Sequence, residues 1–301
     1  MQRIAPVAFV VLWSAGFSFV ALGLPDSEPL TFLALRYAIV VALLALAIPF
    51  VRPPLPASRR DWIDLATVGL LLQGGYFALL YVALDLEAST GTIALIVSLQ
   101  PILVALAAPR VAGERVSARR WLGLGIGLAG AAVVIASRSS VGGLSASGLL
   151  CALGALLALT ASTLYETRFG SEHHPVTANA VQCGVALALT MPLALLIEGF
   201  PVTWTADLAI SLGYLVLANS LVSITLLLLM MRRGEASRVS ALFFLVPPLA
   251  GAIAWAVLGE SLPAPAWAGM VLAAIGVGIA TTSASLPGGQ PRAGRGKRVP
   301  R

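Results

Sequence analysis

The chain has 301 residues, 58% of them hydrophobic and 11% charged, with a mean hydropathy of +0.94. A soluble domain carries roughly 25% charged residues, so this chain cannot cover a water-facing surface. That excludes a soluble enzyme, a disordered chain and a nucleic-acid-binding domain.

A bilayer core of about 30 Å takes about 20 apolar residues of helix. Runs of that length recur between short polar, Pro- or Gly-bearing breaks. They predict helices over Ile4–Leu22, Leu30–Phe50, Trp62–Leu84, Thr90–Val111 and Arg120–Ser137. The second half predicts Gly148–Thr167, Thr177–Ile197, Leu208–Met231, Ala236–Leu258 and Ala266–Ser283. The expected fold class is all-α integral membrane, with ten transmembrane helices. The first run is read as a retained helix and not a secretion signal, being too long and lacking a small-residue cleavage site.

The net charge of +6 has meaning only through where the cations sit. With a cytoplasmic N-terminus, every basic residue except Arg36 and Arg138 falls on the cytoplasmic side. Asp26, Glu28, Asp85, Glu87, Glu198, Asp207 and Glu260 fall outside. The positive-inside rule therefore predicts that both termini face the cytoplasm. The Arg-rich, Ala-rich composition hints at a GC-rich bacterium, hence a cytoplasmic (inner) membrane. The tail 286–301 mixes Gly, Pro and five cations, reads as disordered, and either fixes topology or touches anionic lipid. Cys151 and Cys183 fall at different depths and read as small core residues.

Displacing the chain against itself by 146 residues puts Pro29 on Pro175, Thr31 on Thr177, Asp61 on Asp207 and Pro101 on Pro247. Gly113-Glu114 falls on Gly259-Glu260, Trp121 on Trp267, and Gly130 on Gly276. Two halves, 1–138 and 139–285, are thus expected to share a structure, followed by the basic tail. An odd number of helices per half makes the second half enter from the other side of the membrane. Such an inverted repeat suits alternating access around a midplane site.

The same landmarks carry a family resemblance. Gly234-Glu-Ala-Ser-Arg-Val-Ser-Ala-Leu-Phe-Phe-Leu-Val-Pro-Pro248, with Trp255 and Gly259-Glu260, resembles the ninth helix of EamA-type transporters of the drug/metabolite transporter superfamily. Ala94-Leu-Ile-Val-Ser-Leu-Gln-Pro101, leading to Gly113-Glu114-Arg115, resembles their fourth. Leu12-Trp13-Ser14 and Leu33-Ala-Leu-Arg36 match the first two helices. The resemblance implies ten helices in two inverted five-helix repeats. It also implies a central cavity lined by helices 1, 3, 4, 6, 8 and 9, with helices 5 and 10 further out. For substrate it is weak: related members export amino acids, metabolites, dyes or drugs.

Polar side chains near mid-membrane are costly and mark candidate sites. By depth these are Trp13 and Ser14, Gln73 and Tyr76, Ser98 and Gln100, Thr160 and Ser162, and Asn219 with Ser223. Each either faces a cavity or hydrogen-bonds between helices. Arg36 either attracts a substrate carboxylate, snorkels outward, or pairs with Asp26, Glu28, Asp85 or Glu87. Glu166 is placed for proton coupling or for pairing with Arg168. Pro101, Pro247 and Pro248 interrupt helices 4 and 9 at equivalent depths, as hinges or as packing kinks. Glu114 and Glu260 are expected to cap the helices that follow them. Gly123-x-x-x-Gly127 and Gly269-x-x-x-Ala273 permit close helix contact, either within the chain or at a homodimer seam through helices 5 and 10.

His173 and His174 have no metal-ligand partner at suitable spacing, and no Walker loop, H-E-x-x-H or G-x-S-x-G motif occurs. No enzyme chemistry, cofactor, metal or ATP-driven pumping is read here. The expectation is a secondary transporter, an exporter of small organic metabolites such as amino acids or amphipathic solutes. Its partners would be a small-molecule substrate and the bilayer. The alternative is a membrane scaffold or lipid-modifying protein.

Overall fold

The computed structural model describes residues 4–86, 93, 96–113, 116–138, 145–170, 173–233, 236–258 and 263–281. Glu114, Glu260, the tail from Pro287 and the side chain of Trp255 lie outside that description. Among the described residues all regular elements are helical, and eight helices are long and apolar enough to cross a membrane. The helices are α1 Ile4–Gly23, α2 Pro29–Val51, α3 Arg59–Asp85, α4 Gln100–Val111, α5 Ala118–Arg138 and α6 Ala146–Phe169. They continue as α7 Pro175–Glu198, α8 Ala206–Met231, α9 (assembled from Ala236–Ser240, Ala241–Leu245 and Val246–Leu258) and α10 Ala264–Thr281.

The boundaries follow local chemistry. Pro29 and Pro175 open α2 and α7, where a missing N–H is harmless. Ser58 opens α3 through a reciprocal capping box with Asp61, and Ser145 and Thr205 cap α6 and α8. Gly199 closes α7 at φ 73°, a left-handed conformation that costs glycine little.

The long apolar fourth and ninth spans are not uninterrupted helices. Residues 98–99 form a turn, and α4 starts at Gln100 with Pro101 in its first turn. In α9 the segment Ala241–Leu245 is a 3-10 helix, and the α-helix resumes at Val246 with Pro247 and Pro248 in its first turn. Proline fits a helix's first turn but cannot continue the preceding one. Both breaks therefore fall just before the prolines.

Three segments do not follow from apolar periodicity. Gly69–Tyr76 within α3, Leu215–Ser223 within α8 and the shorter Ala194–Glu198 at the end of α7 are π-helical. The first two are related by the repeat offset: a displacement of 146 residues carries the start of one onto the start of the other. π-segments are rare and cluster at functional sites.

The bundle is built from cross-packing. α1 lies on α8 and α9, α6 lies on α3 and α4, α2 on α7, and α5 on α10. Phe50 is 88% exposed and Leu196 84%, because this protein's outer surface faces hydrocarbon and not water. The small residues of α5 and α10 face one another within the chain: a Cβ on Gly130 would stand 2.3 Å from the Ala273 nitrogen. The Gly-x-x-x-Gly stripe is thus used internally, and a homodimer through these helices would need their outward faces, such as Leu122 and Val271. Trp121 is half-buried and Trp267 exposed. Cys151 and Cys183 are both free thiols.

α2 and α7 lock each other's ends. The Glu198 carboxylate accepts from Leu30 N (2.9 Å), Thr31 N (2.8 Å) and Thr31 Oγ1 (2.7 Å), capping α2 from the end of α7. At the far end Thr177 Oγ1 donates to the Pro54 carbonyl at 3.0 Å. The 1–2 and 7–8 connections are also joined: Thr203 N donates to Asp26 O (2.9 Å), and Thr205 Oγ1 to Asp26 Oδ2 (2.6 Å). Replacing Glu198 by alanine is expected to cost about 1–2 kcal/mol, read as a lower melting temperature. Gln at this position should recover only part of the loss, because it keeps an acceptor but not the charge.

Charges sort to opposite ends of the bundle. One end holds the Arg60–Asp64 pair, the His173–Asp61 contact and the Arg168 guanidinium on the Val111 carbonyl. The other holds Asp26 and Glu198 in the contacts just described. Arg168 is therefore engaged with a backbone carbonyl, while Glu166 is 1% exposed.

Candidate functional site

Between α1, α2, α3 and α8 lies a cavity whose walls include Trp13, Gly16, Arg36, Tyr76, Tyr81 and Asn219. Each wall residue is there by helical spacing. Trp13 follows Phe9 by four residues and precedes Gly16 by three on the buried face of α1. On α2 the buried stripe runs Phe32, Leu33, Arg36, Tyr37, Val40, Leu44, so a guanidinium occupies a core position. On α3 and α8 the π-segments present Tyr76 and Asn219.

The aromatic side is packed tightly. The Trp13 and Tyr76 rings stack with centroids 6.1 Å apart, and Phe77 lies 5.6 Å from Trp13. Phe243 of α9 meets Trp13 edge-on at 5.5 Å from behind. The fit is close at Gly16: a Cβ there would stand 2.7 Å from Asn219 Nδ2, so the amide would have to shift. The cavity between the walls is small, about 20 Å³, room for about one water molecule.

Arg36 dominates the polar side. Its Nε donates to Ser220 Oγ (2.8 Å), Nη1 to Tyr81 OH (3.1 Å) and Nη2 to Asn219 Oδ1 (2.8 Å). The guanidinium carbon sits 4.6 Å from the Phe77 ring centroid. At 1% exposure it does not snorkel. Nor does it pair with Asp26, Glu28 or Asp85, since its partners are neutral; Glu87 lies outside the described residues. The stripe Phe32–Leu44 was the signal that would have placed it inward, because a residue in the middle of such a face cannot reach the interface.

The other candidates are distributed more widely. Gln73 is fully buried beside this cluster: its carbonyl accepts from Tyr37 OH at 2.7 Å, while its side-chain amide has no hydrogen-bond partner. The Ser14 hydroxyl is likewise buried without a hydrogen-bond partner, and the Tyr76 hydroxyl is buried beside Trp13. Thr160 donates to the Leu156 carbonyl of its own helix, Ser223 to the Phe9 carbonyl, and Gln100 Nε2 to Thr163 Oγ1. None of these three lines the cavity, and neither does Ser162. Among the described residues the lining comes from α1, α2, α3 and α8, and α4, α6 and α9 contribute no wall residue. Tyr81, Ser220 and Phe77 belong to the cluster and were missed, since nothing in their local sequence distinguishes them from packing residues. Among the described residues no three His, Cys, Asp or Glu side chains gather to hold a metal.

The sequence profile of the EamA-like transporter family matches residues 4–136 and again 146–282. The chain belongs to that family. As an EamA-family transporter it is a multi-pass membrane protein. It is 26% identical over 283 residues to a probable amino-acid metabolite efflux pump of Salmonella typhimurium, covering 90% of this chain and 91% of that one. It is 25% identical over 275 residues to the uncharacterized transporter YvbV of Bacillus subtilis (91% and 89% covered). The uncharacterized inner membrane transporter YedA of Escherichia coli is 24% identical over 265 residues (86% and 84%). A protein of known crystal structure shares the fold with a TM-score of 0.78 at 21% identity, over 92% of this chain and 95% of the other.

Proposed function

We propose that this EamA-family transporter exports small organic metabolites, such as amino acids or amphipathic solutes, by alternating access between two inverted repeats. The repeats are 1–138 and 139–285, ten spans in all, in a cytoplasmic membrane with both termini inside. The observation that carries the reading is the pair of equivalent π-segments, Gly69–Tyr76 and Leu215–Ser223, one from each half, meeting at the cavity. A π-segment pairs its backbone i→i+5 in place of i→i+4, so each is a place where the helix can rewind. The cross-packing of α1 on α8 and α9, and of α6 on α3 and α4, is what a twofold exchange of conformations needs. The relative named as an amino-acid metabolite efflux pump supports the direction and substrate class.

In this reading Trp13, Tyr76 and Asn219 contact substrate, with Arg36 and Gln73 beside them. Ser14, Gln100, Thr160 and Ser223 join the path only as the cavity widens. The helix starts at Pro101, Pro247 and Pro248 act as hinges, because helix on either side of a geometry change can swing as a rigid piece.

Efflux from proteoliposomes loaded with a broad metabolite panel tests the proposal. Protein-dependent flux of at least one solute is expected; none across the panel would favour a scaffold. Alanine at Trp13, Gln73 or Asn219 is expected to change flux about tenfold or more while membrane insertion stays normal. Unchanged kinetics in all three would remove the cavity from the transport path.

A further inference from the structure

We propose that the group recognised in this cavity is a carboxylate and that Arg36 holds it. The inference rests on the transport reading and narrows its substrates to organic anions and zwitterions with an apolar body. Arg36 is a fully buried cation whose hydrogen bonds all end on neutral oxygens, those of Ser220, Tyr81 and Asn219. Among the described residues no carboxylate is ion-paired with it. A buried charge without a counter-charge is costly, and membrane-embedded cations mark substrate or ion pathways. The missing counter-charge is therefore assigned to the cargo.

The geometry suits a carboxylate in particular. A guanidinium has five N–H donors, and three are committed here. One N–H on Nη1 and one on Nη2 remain, and a pair of guanidinium N–H groups matches the two oxygens of a carboxylate. The buried hydroxyl of Tyr76 lines the same cavity and can donate to that group or accept from an adjacent ammonium. Trp13, Phe77 and Leu80 form an apolar wall for the rest of the solute. An amine without a carboxylate meets only a like charge, and an amide cannot supply the negative charge Arg36 lacks.

The test uses four probes on one apolar body: L-phenylalanine, 3-phenylpropionate, L-phenylalaninamide and phenethylamine. Purified full-length protein is followed by thermal unfolding, and proteoliposomes by protein-dependent efflux. The two carboxylates are expected to raise the melting temperature and to move at least about tenfold better than the amide and amine, the discrimination one charge-assisted pair provides. Arg36→Gln should erase the preference, and Arg36→Lys should retain a fraction of it. Amide or amine acting as well as the carboxylates on the wild type overturns the proposal. So does a carboxylate preference that survives Arg36→Gln, or the absence of any carboxylate effect. The wild-type comparison needs no variant, so it stands even if Arg36→Gln folds poorly. Stabilisation by carboxylates through Arg36 with no flux of any probe or of any solute in the broad panel would leave the site intact and remove the transport reading. Flux of amide and amine without carboxylate selectivity would do the reverse.

Discussion

Asn219→Asp is expected to make the protein more heat-stable and, at the same time, a poorer carrier of carboxylates. Asn219 Oδ1 accepts from Arg36 Nη2 at 2.8 Å, and the residue is 3% exposed. Aspartate is nearly isosteric, so the bond survives, and its charged donor now meets a charged acceptor. It also supplies a counter-ion to a guanidinium already desolvated by the fold. The expected gain is about 1–3 kcal/mol, a rise of several degrees in melting temperature. With Arg36 neutralised from within, carboxylate efflux should fall by about tenfold or more, whereas any amine flux should hold or rise. A fall in melting temperature would mean that Arg36 is already compensated in the native protein. Unchanged carboxylate efflux would separate Arg36 from substrate recognition.

Gly276→Leu is expected to abolish accumulation of folded protein. A Cβ at this position would stand 2.2 Å from the nitrogen and 2.6 Å from the Cα of Gly127. The obstacle is backbone, so no rotamer change relieves it, and α10 must separate from α5 along their shared face. Overpacking costs about 1–3 kcal/mol where side chains can adjust; here they cannot, so the loss should exceed that. Gly125→Leu is the control: it adds the same side chain to α5 where nothing lies within 4 Å. Fluorescence-detected size exclusion of detergent extracts would read both. A monodisperse Gly276→Leu peak at wild-type yield would mean that α5 and α10 do not pack closely.

Particular residues show how far the sequence alone could be read. The eight long spans follow from apolar run length, because a bilayer demands about 20 residues of internally hydrogen-bonded helix. Pro29, Pro175, Ser58 and Gly199 announce helix ends through their own backbone preferences. The breaks before Pro101 and Pro247 were visible too, although read as hinges or packing kinks inside continuous spans; a proline in the first turn of a new helix leaves the same sequence trace. Trp13, Tyr76 and Asn219 were singled out by depth and Arg36 as a basic residue within a span, and the structure brings them to one cavity. Gln100, Thr160 and Ser223 were found by the same rule and line no part of it. Depth gives height in the membrane but no azimuth, and their helices turn them to other partners.

The opening composition therefore determined the solvent this protein lives in, and the placement of arginines determined an expected orientation. Both are properties of single residues summed along the chain. The π-segments at Gly69–Tyr76 and Leu215–Ser223, the neutral partners of Arg36 and the mutual capping of α2 and α7 were decided only by tertiary structure. The contacts of Arg36 with α8 and the capping of α2 and α7 join residues more than a hundred positions apart, and such meetings have no periodicity to betray them. A lone arginine in an apolar span looked like a charge in need of an acid. Packing shows a cation held by neutral oxygens beside a cavity, because α8 delivers Asn219 and Ser220 where no local pattern could.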